Sequence, residues 1–212
     1  MSVSNVDLVQ AYCQEKSSAL SDKAIEIRNK TMSSRFNERL LVDMVGARFL
    51  SFITHLLRPE SILEIGTFSG FSAQILSEGL ADGGSLYTLE IDEDHYQFAV
   101  ENLKDSPNNN SMHLLLGDAI ELIPTLDKDF DLIFLDAAKR QYTKHYEAAL
   151  SKLRTGGMII ADNALWKNRV VLEEADNMTK GVQEFNNYVK ADERVRNVLV
   201  PIGDGMNLIT KI

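Results

Sequence analysis

The chain has 212 residues, 22 of them basic and 31 acidic, for a net charge of −9. Apolar residues make up 44% and charged residues 25%, with 12 glycines and 4 prolines, which excludes disordered and fibrous classes and leaves one domain with a sizeable core as the expectation. One cysteine, Cys13, excludes a disulfide framework and points to a reducing compartment.

Residues 1–10 lack the basic start and apolar run of a signal peptide, and no stretch approaches the roughly 20 apolar residues of a membrane span, so a cytoplasmic protein without a membrane partner is expected. Residues 5–58 read as helices, broken around Lys30 to Asn37 where Thr, Ser and Asn cluster. Between Leu40 and Leu57 the apolar residues recur at three and four, the stripe of a core-facing helix, and Pro59 closes it. Seven short apolar runs follow: Ser61 to Ile65, Ser85 to Ile91, Met112 to Leu116, Phe130 to Leu135, Met158 to Ala161, Val195 to Pro201 and Met206 to Ile212. The first five alternate with helices, which predicts a doubly wound parallel sheet. The last two are joined by Ile202-Gly203-Asp204-Gly205, too short for a crossover helix, and predict an antiparallel hairpin at one edge.

Chemistry-bearing residues gather where these strands should end. Glu64-Ile65-Gly66-Thr67-Phe68-Ser69-Gly70 turns the first strand into a helix, and glycines there let a ligand approach the backbone. The spacing misses the GxGxxG dinucleotide fingerprint, which counts against NAD and FAD. Glu90 ends the second strand, where an acid can accept from both ribose hydroxyls of a nucleoside, and Asp118 follows the third, where it can meet an adenine amino group. Singly, each is equally a helix cap or a solvated loop acid. Together they lie at the strand edge where open α/β sheets bind ligands.

Asp136 ends the fourth strand and Asp162-Asn163 the fifth, so two carboxylates and an amide oxygen converge, a donor set for Mg²⁺, Ca²⁺ or Mn²⁺. Zinc is not expected, because Cys13 and the four histidines miss ligand spacing; His55 and His113 read as satisfied core or edge residues. Lys139, three residues after Asp136, is either a surface lysine or, beside a divalent cation that lowers its pKa, a general base. The charge is unevenly spread. Residues 77–136 hold 14 acids and two bases, whereas residues 137–172 hold two acids and seven bases, so an anionic partner stays open despite the total.

These motifs resemble the cation-dependent O-methyltransferases of the caffeoyl-coenzyme A and catechol type, in their small bacterial form. LEIGTFSGFSA (63–73) is similar to the family's S-adenosylmethionine loop, YTLEID (87–92) to its ribose-binding strand end, FLDAAKRQY (134–142) and IIADNALW (159–166) to its metal and lysine motifs, and VPIGDGMNLITKI (200–212) to its closing hairpin. The resemblance implies a class I methyltransferase, Rossmann-like fold. It implies cofactor contacts from Val45, Glu64, Gly66, Phe68, Gly70, Ser72, Glu90, Asp118, Ala119 and Asp136, a cation held by Asp136, Asp162 and Asn163, and catalysis by Lys139 with Asp136. Arg39, Tyr142 and Trp166 are the candidate acceptor contacts, Trp166 either stacking on an aromatic acceptor or packing under its own loop.

Two departures are visible. Arg39 stands near the position where the family usually has Met, either replacing it or marking a shifted segment, and Ala138 replaces the second acid of the plant DADK motif. The expected activity is S-adenosylmethionine- and metal-dependent methylation of a hydroxylated aromatic acceptor with vicinal oxygens. A tRNA 5-hydroxyuridine acceptor and a non-catalytic nucleoside-binding protein are the alternatives. The family implies a homodimer, and no DNA partner is expected.

Overall fold

The computed structural model describes residues 5–172 and 175–212 and opens with three helices, α1 (Asn5–Lys16), α2 (Asp22–Met32) and α3 (Met44–Leu57). Strands and helices then alternate: β1 (Ser61–Ile65), α4 (Phe71–Glu78), β2 (Ser85–Glu90), α5 (Glu93–Leu103), β3 (Met112–Leu116), α6 (Ala119–Leu122), β4 (Phe130–Leu135), α7 (Tyr142–Lys152) and β5 (Leu153–Ala161). A long helix, α8 (Asn177–Ala191), precedes the hairpin of β6 (Val195–Val200) and β7 (Met206–Lys211).

The seven strands form one sheet in the order β3-β2-β1-β4-β5-β7-β6. β1 to β5 pair in parallel, and β7 runs antiparallel to both β5 and β6, as the short hairpin link requires. Successive strand residues alternate between two cores. Leu63, Ile133 and Ile159 face Tyr146 of α7 and Phe185 of α8, while Ile62, Leu132 and Ile160 face Leu50 of α3 and Phe71 of α4. Helices cover both faces, so the central strands carry continuous apolar runs.

Two element boundaries differ from the sequence reading by more than one residue. β5 begins at Leu153 rather than Met158, because Leu153 already pairs with Phe130 across a register shift. α3 begins at Met44 rather than Leu40: Asp43 is extended and its side chain accepts from the N–H groups of Val45 and Gly46, an N-cap that ends the preceding 3-10 turn Glu38–Leu40. Glu38–Leu57 taken as one stretch is as apolar as a membrane span, contrary to the sequence expectation. The break at the Asp43 cap leaves 14 helical residues, about 21 Å at ~1.5 Å per residue, against the ~30 Å hydrocarbon core.

The chain order reverses between β1 and β4, with β2 and β3 on one side and β5 on the other. A doubly wound sheet opens a crevice at the carboxyl ends of its strands at such a point. β7 runs against β5, so the Ile202–Gly205 turn also reaches that edge.

Candidate active site

A cleft of about 710 Å³ lies at the switch point, within the range of small-molecule sites. Its floor is the turn after β1. Gly66 has φ 104°, and a Cβ there would stand 2.2 Å from the Asp136 carbonyl oxygen, so glycine alone lets the ends of β1 and β4 approach this closely. The Asp136 N–H donates to the Ile65 carbonyl at 3.0 Å and fixes the two ends together.

Glu90 organises the next wall. One carboxylate oxygen accepts the Phe68 N–H at 2.7 Å and the other accepts the Asp92 N–H at 2.9 Å. The first bond holds Phe68 in a left-handed conformation, with φ 48°, and its ring packs edge-on against His95 and Phe36. Asp118 caps α6 by accepting the Ile120 N–H at 2.8 Å, the structural role its position allowed, and lines the cleft as well.

The third wall is Lys139 and its partners. Only 6% exposed, its ammonium donates to Asp136 Oδ1 and to the Tyr142 hydroxyl, each at 2.8 Å. The Tyr142 hydroxyl is 2.6 Å from the Asp162 carbonyl and 2.9 Å from that of Leu135, so it bridges the ends of β4 and β5 while it holds Lys139. Burial by itself would push the Lys139 ammonium down, but the neighbouring Asp136 outweighs it and raises its pKa, opposite to the direction expected beside a cation. Asp162, buried in the strand end and close to Asp136, is pushed up to about 8. Its Oδ1 accepts the Asn163 N–H at 2.7 Å.

The fourth wall follows Asn163. Asn163, Trp166, Lys167 and Asn168 all have left-handed backbones. They are held by the hairpin tip: the Ala164 and Leu165 N–H groups donate to the carbonyls of Gly205 and Asp204, and the Lys167 N–H donates to the Asp204 carboxylate. From α8, Asn186 donates to the Ala164 carbonyl at 2.7 Å.

The cleft thus brings together Gly66, Phe68, Ser72, Glu90, Asp118, Ala119, Asp136, Lys139, Asn163, Arg39 and Trp166. Arg39 occupies the cleft-lining segment itself, and Trp166 lies at the cleft instead of being sealed beneath its loop.

Five expected contacts lie elsewhere. Val45, the second residue of α3, lines a separate groove with Arg48 and Phe52, whereas Leu41 and Val42, just before the Asp43 cap, take the cleft position. Glu64 is fully buried below the turn, where it accepts from the Thr88 hydroxyl at 2.5 Å. Gly70, with φ 81°, packs on Leu103 and starts α4. The Tyr142 side chain is buried behind Lys139 and holds that lysine through its hydroxyl. Asp162 lies behind Asn163, its side chain 2% exposed with its residue. His55 and His113, read as core or edge residues, are both exposed; His113 lies on edge strand β3 against Tyr87.

Asn37, His145, Met178 and Asp204 also line the cleft and were not singled out from the sequence. For Asp204 a signal existed: a hairpin turn antiparallel to β5 must return to the carboxyl edge. Asn37, His145 and Met178 come from helices or caps whose approach depends on packing.

Among the described residues no cluster of three or more His, Cys, Asp or Glu side chains is arranged to hold a metal ion. The oxygen donors at the edge are Asp136, Asp162 and Asn163, two carboxylates and one amide.

Residues 14–212 match the family model described as O-methyltransferase. The chain is 32% identical over 171 residues to a catechol O-methyltransferase of Niastella koreensis, covering 76% of this chain and 77% of the relative. It is 26% identical over 180 residues to a caffeoyl-CoA O-methyltransferase of Stellaria longipes, with 79% and 75% covered. Among solved structures, an SAH-bound methyltransferase of Podospora anserina superposes with a TM-score of 0.90 at 26% identity, covering 100% of this chain and 98% of the other. An O-methyltransferase of Bacillus cereus in complex with SAH gives 0.87 at 25% identity, with 97% of each covered. With nearly the whole chain matched by the family model and the strand-end residues assembled in one cleft, the protein belongs to the O-methyltransferase family.

Proposed function

We propose that the protein transfers the methyl group of S-adenosylmethionine to one hydroxyl of a vicinal aromatic diol, and that it does so with a divalent cation, Mg²⁺ first among the candidates. The observation that carries this reading is the meeting of Asp136, Asn163 and Lys139 in the cleft that Gly66, Phe68 and Glu90 also line. SAH in the structures of two relatives supports the cofactor half. The named activities of the catechol and caffeoyl-CoA relatives support the acceptor half.

Glu90, with both oxygens fixed by backbone N–H groups, presents its remaining lone pairs to the ribose hydroxyls, and Asp118 and Ala119 bound the base. The chemistry of the oxygen donors fits a hard cation, and the Asp162 carboxylate gains from one, since burial and the neighbouring Asp136 make its charge costly. Asp136, Asp162 and Asn163 are the residues that would hold it, with movement of the Asp162 carboxylate from its bond to the Asn163 N–H. When bound, such a cation supplies positive charge that makes an acceptor hydroxyl easier to ionise. Lys139, an ammonium paired with Asp136, first gives a proton to solvent and as the neutral amine receives the hydroxyl proton at Nζ; the Tyr142 hydroxyl keeps it aimed. Trp166, Leu40 and Met178 give the acceptor ring an apolar wall. Most of the rate then comes from alignment of the ring hydroxyl with the methyl group.

The test is methyl transfer to catechol before and after chelation. Transfer should stop with chelator and return with Mg²⁺, with Mn²⁺ and Ca²⁺ as comparisons. Full activity in chelator overturns the cation requirement, and lack of transfer to any vicinal diol despite SAH binding overturns the acceptor class.

A further inference from the structure

His145 is a buried titratable side chain of the cleft that takes no part in proton transfer or in the oxygen-donor set. Tyr142, His145, Tyr146 and Ala149 recur at three and four along α7 and form its buried face, so His145 stands in line with core residues. It lies in the first turn of that helix, however, and there it lines the cleft. The residue is 5% exposed, and among the described residues its Nδ1 is sealed without a hydrogen-bond partner. Burial holds the ring below the usual histidine range, although the Asp118 carboxylate pulls it upward. A sealed Nδ1 with no acceptor disfavours a proton there, since an unpaired N–H is the rarer orphan, so the neutral ring carries its hydrogen on Nε2. Nε2 is then the nitrogen left for a ligand, and it is an uncharged donor.

Two neighbouring groups have fixed directions. Asp118 Oδ1 accepts the Ile120 N–H, which leaves Oδ2 for a ligand, and Ala119 is the first residue of α6, so its N–H has no partner within the helix. An acceptor beside a donor matches the exocyclic amino group of adenine and the adjacent N1. The amino group has a second ring nitrogen on its other side, N7, which can only accept. His145, within the field of Asp118, has the donor that N7 requires.

Resting on S-adenosylmethionine as the cofactor of the proposed function, we infer that His145 reads the adenine base, its Nε2–H donating to N7 while Asp118 and Ala119 take the amino group and N1. One helix then serves both halves of the site, because α7 holds Lys139 through Tyr142 and the nucleobase through His145, one turn further on.

The experiment measures Kd by calorimetry on the whole protein for SAH, for 7-deaza-SAH, which has a C–H in place of N7, and for 1-deaza-SAH. The wild type should bind 7-deaza-SAH about threefold to tenfold more weakly than SAH, the worth of one neutral hydrogen bond. In His145→Phe the donor is gone, so SAH and 7-deaza-SAH should bind alike, while the penalty for 1-deaza-SAH stays as in the wild type. His145→Gln, whose amide can place an N–H near the Nε2 position, should keep part of the preference. In turnover, His145→Phe should raise KM for S-adenosylmethionine much more than it lowers kcat. Comparing ligands within each variant cancels any general loosening of the cleft, and should His145→Phe not fold, the wild type and His145→Gln still decide.

Equal affinity of the wild type for SAH and 7-deaza-SAH, or a preference for N7 that survives unchanged in the variants, would overturn the inference and leave the proposed function standing. A 1-deaza penalty that vanishes in His145→Phe would also overturn it, by placing the histidine at N1. No binding of SAH to the wild type would overturn the cofactor half of the proposed function and the inference with it.

Discussion

At the scale of single residues, the site works through pairs in which one member faces the cleft and the other holds it. Lys139 faces the cleft and Tyr142 aims it. Lys139→Ala should lower kcat by about 10²–10⁴, the usual worth of a positioned acid or base, with little change in SAH affinity measured by calorimetry. Tyr142→Phe keeps the packing against Phe185 but removes the hydroxyl. It should lower kcat about tenfold, or ~1.4 kcal/mol in the barrier, and move the pH–rate profile, whereas a purely structural change would move only stability. Glu64 gives a separate pH signature. Its burial pushes the carboxyl up from 4.5 to about 8, so the folded protein holds a proton there that the unfolded chain releases. The stability from this group is complete below pH 4.5 and is lost as pH rises through about 8. Glu64→Gln should flatten that part of the dependence in urea unfolding followed from about pH 5 to about pH 9, and an unchanged slope would show that Glu64 is ionised in the fold.

At the scale of elements, the β6–β7 hairpin reaches the site from the far edge of the sheet. Its tip binds the turn after β5 through Asp204 and Gly205 and rests against Asp43, where a Cβ on Gly203 would stand 1.7 Å from the carboxylate. Asp43 is thus both the cap of α3 and the seat of the hairpin. Asp43→Ala should cost about 1 kcal/mol through the lost cap, lowering Tm by roughly 2–4 °C in a chain of this size. It should also raise KM for the acceptor, because Arg39 to Val42 lose their anchor. A Tm loss with an unaltered KM would mean that the cap serves α3 alone.

At the scale of the whole molecule, the cleft is shared by the N-terminal helical segment, the β1–β4 junction and the hairpin, so a ligand that bridges them should stabilise the fold as a unit. SAH at about 100 times its Kd should add ~2.7 kcal/mol, read as a rise in Tm, and should slow hydrogen exchange in residues 37–42 and 163–167 together. Protection confined to the β1 turn would indicate that these walls respond separately. Much of this architecture was legible in the chain: apolar runs alternating with helices fixed the parallel strands, the short Gly-Asp-Gly link fixed the hairpin, and Gly66, Glu90, Asp136 and Asn163 could be assigned to one edge because side chains that end parallel strands must share it. Less legible was which side of a turn each neighbour takes. Leu41 and Val42 replace Val45 at the cleft because the Asp43 cap starts the helix four residues later than the apolar stripe does, and Tyr142 faces inward because its hydroxyl satisfies the ends of β4 and β5. The sequence by itself determined the succession of strands along the chain, their burial and the chemistry at their ends, since these depend on local pattern and short connections. Only the tertiary structure decided which side chains reach the cleft and which are held behind it, because both depend on contacts between segments far apart in the chain.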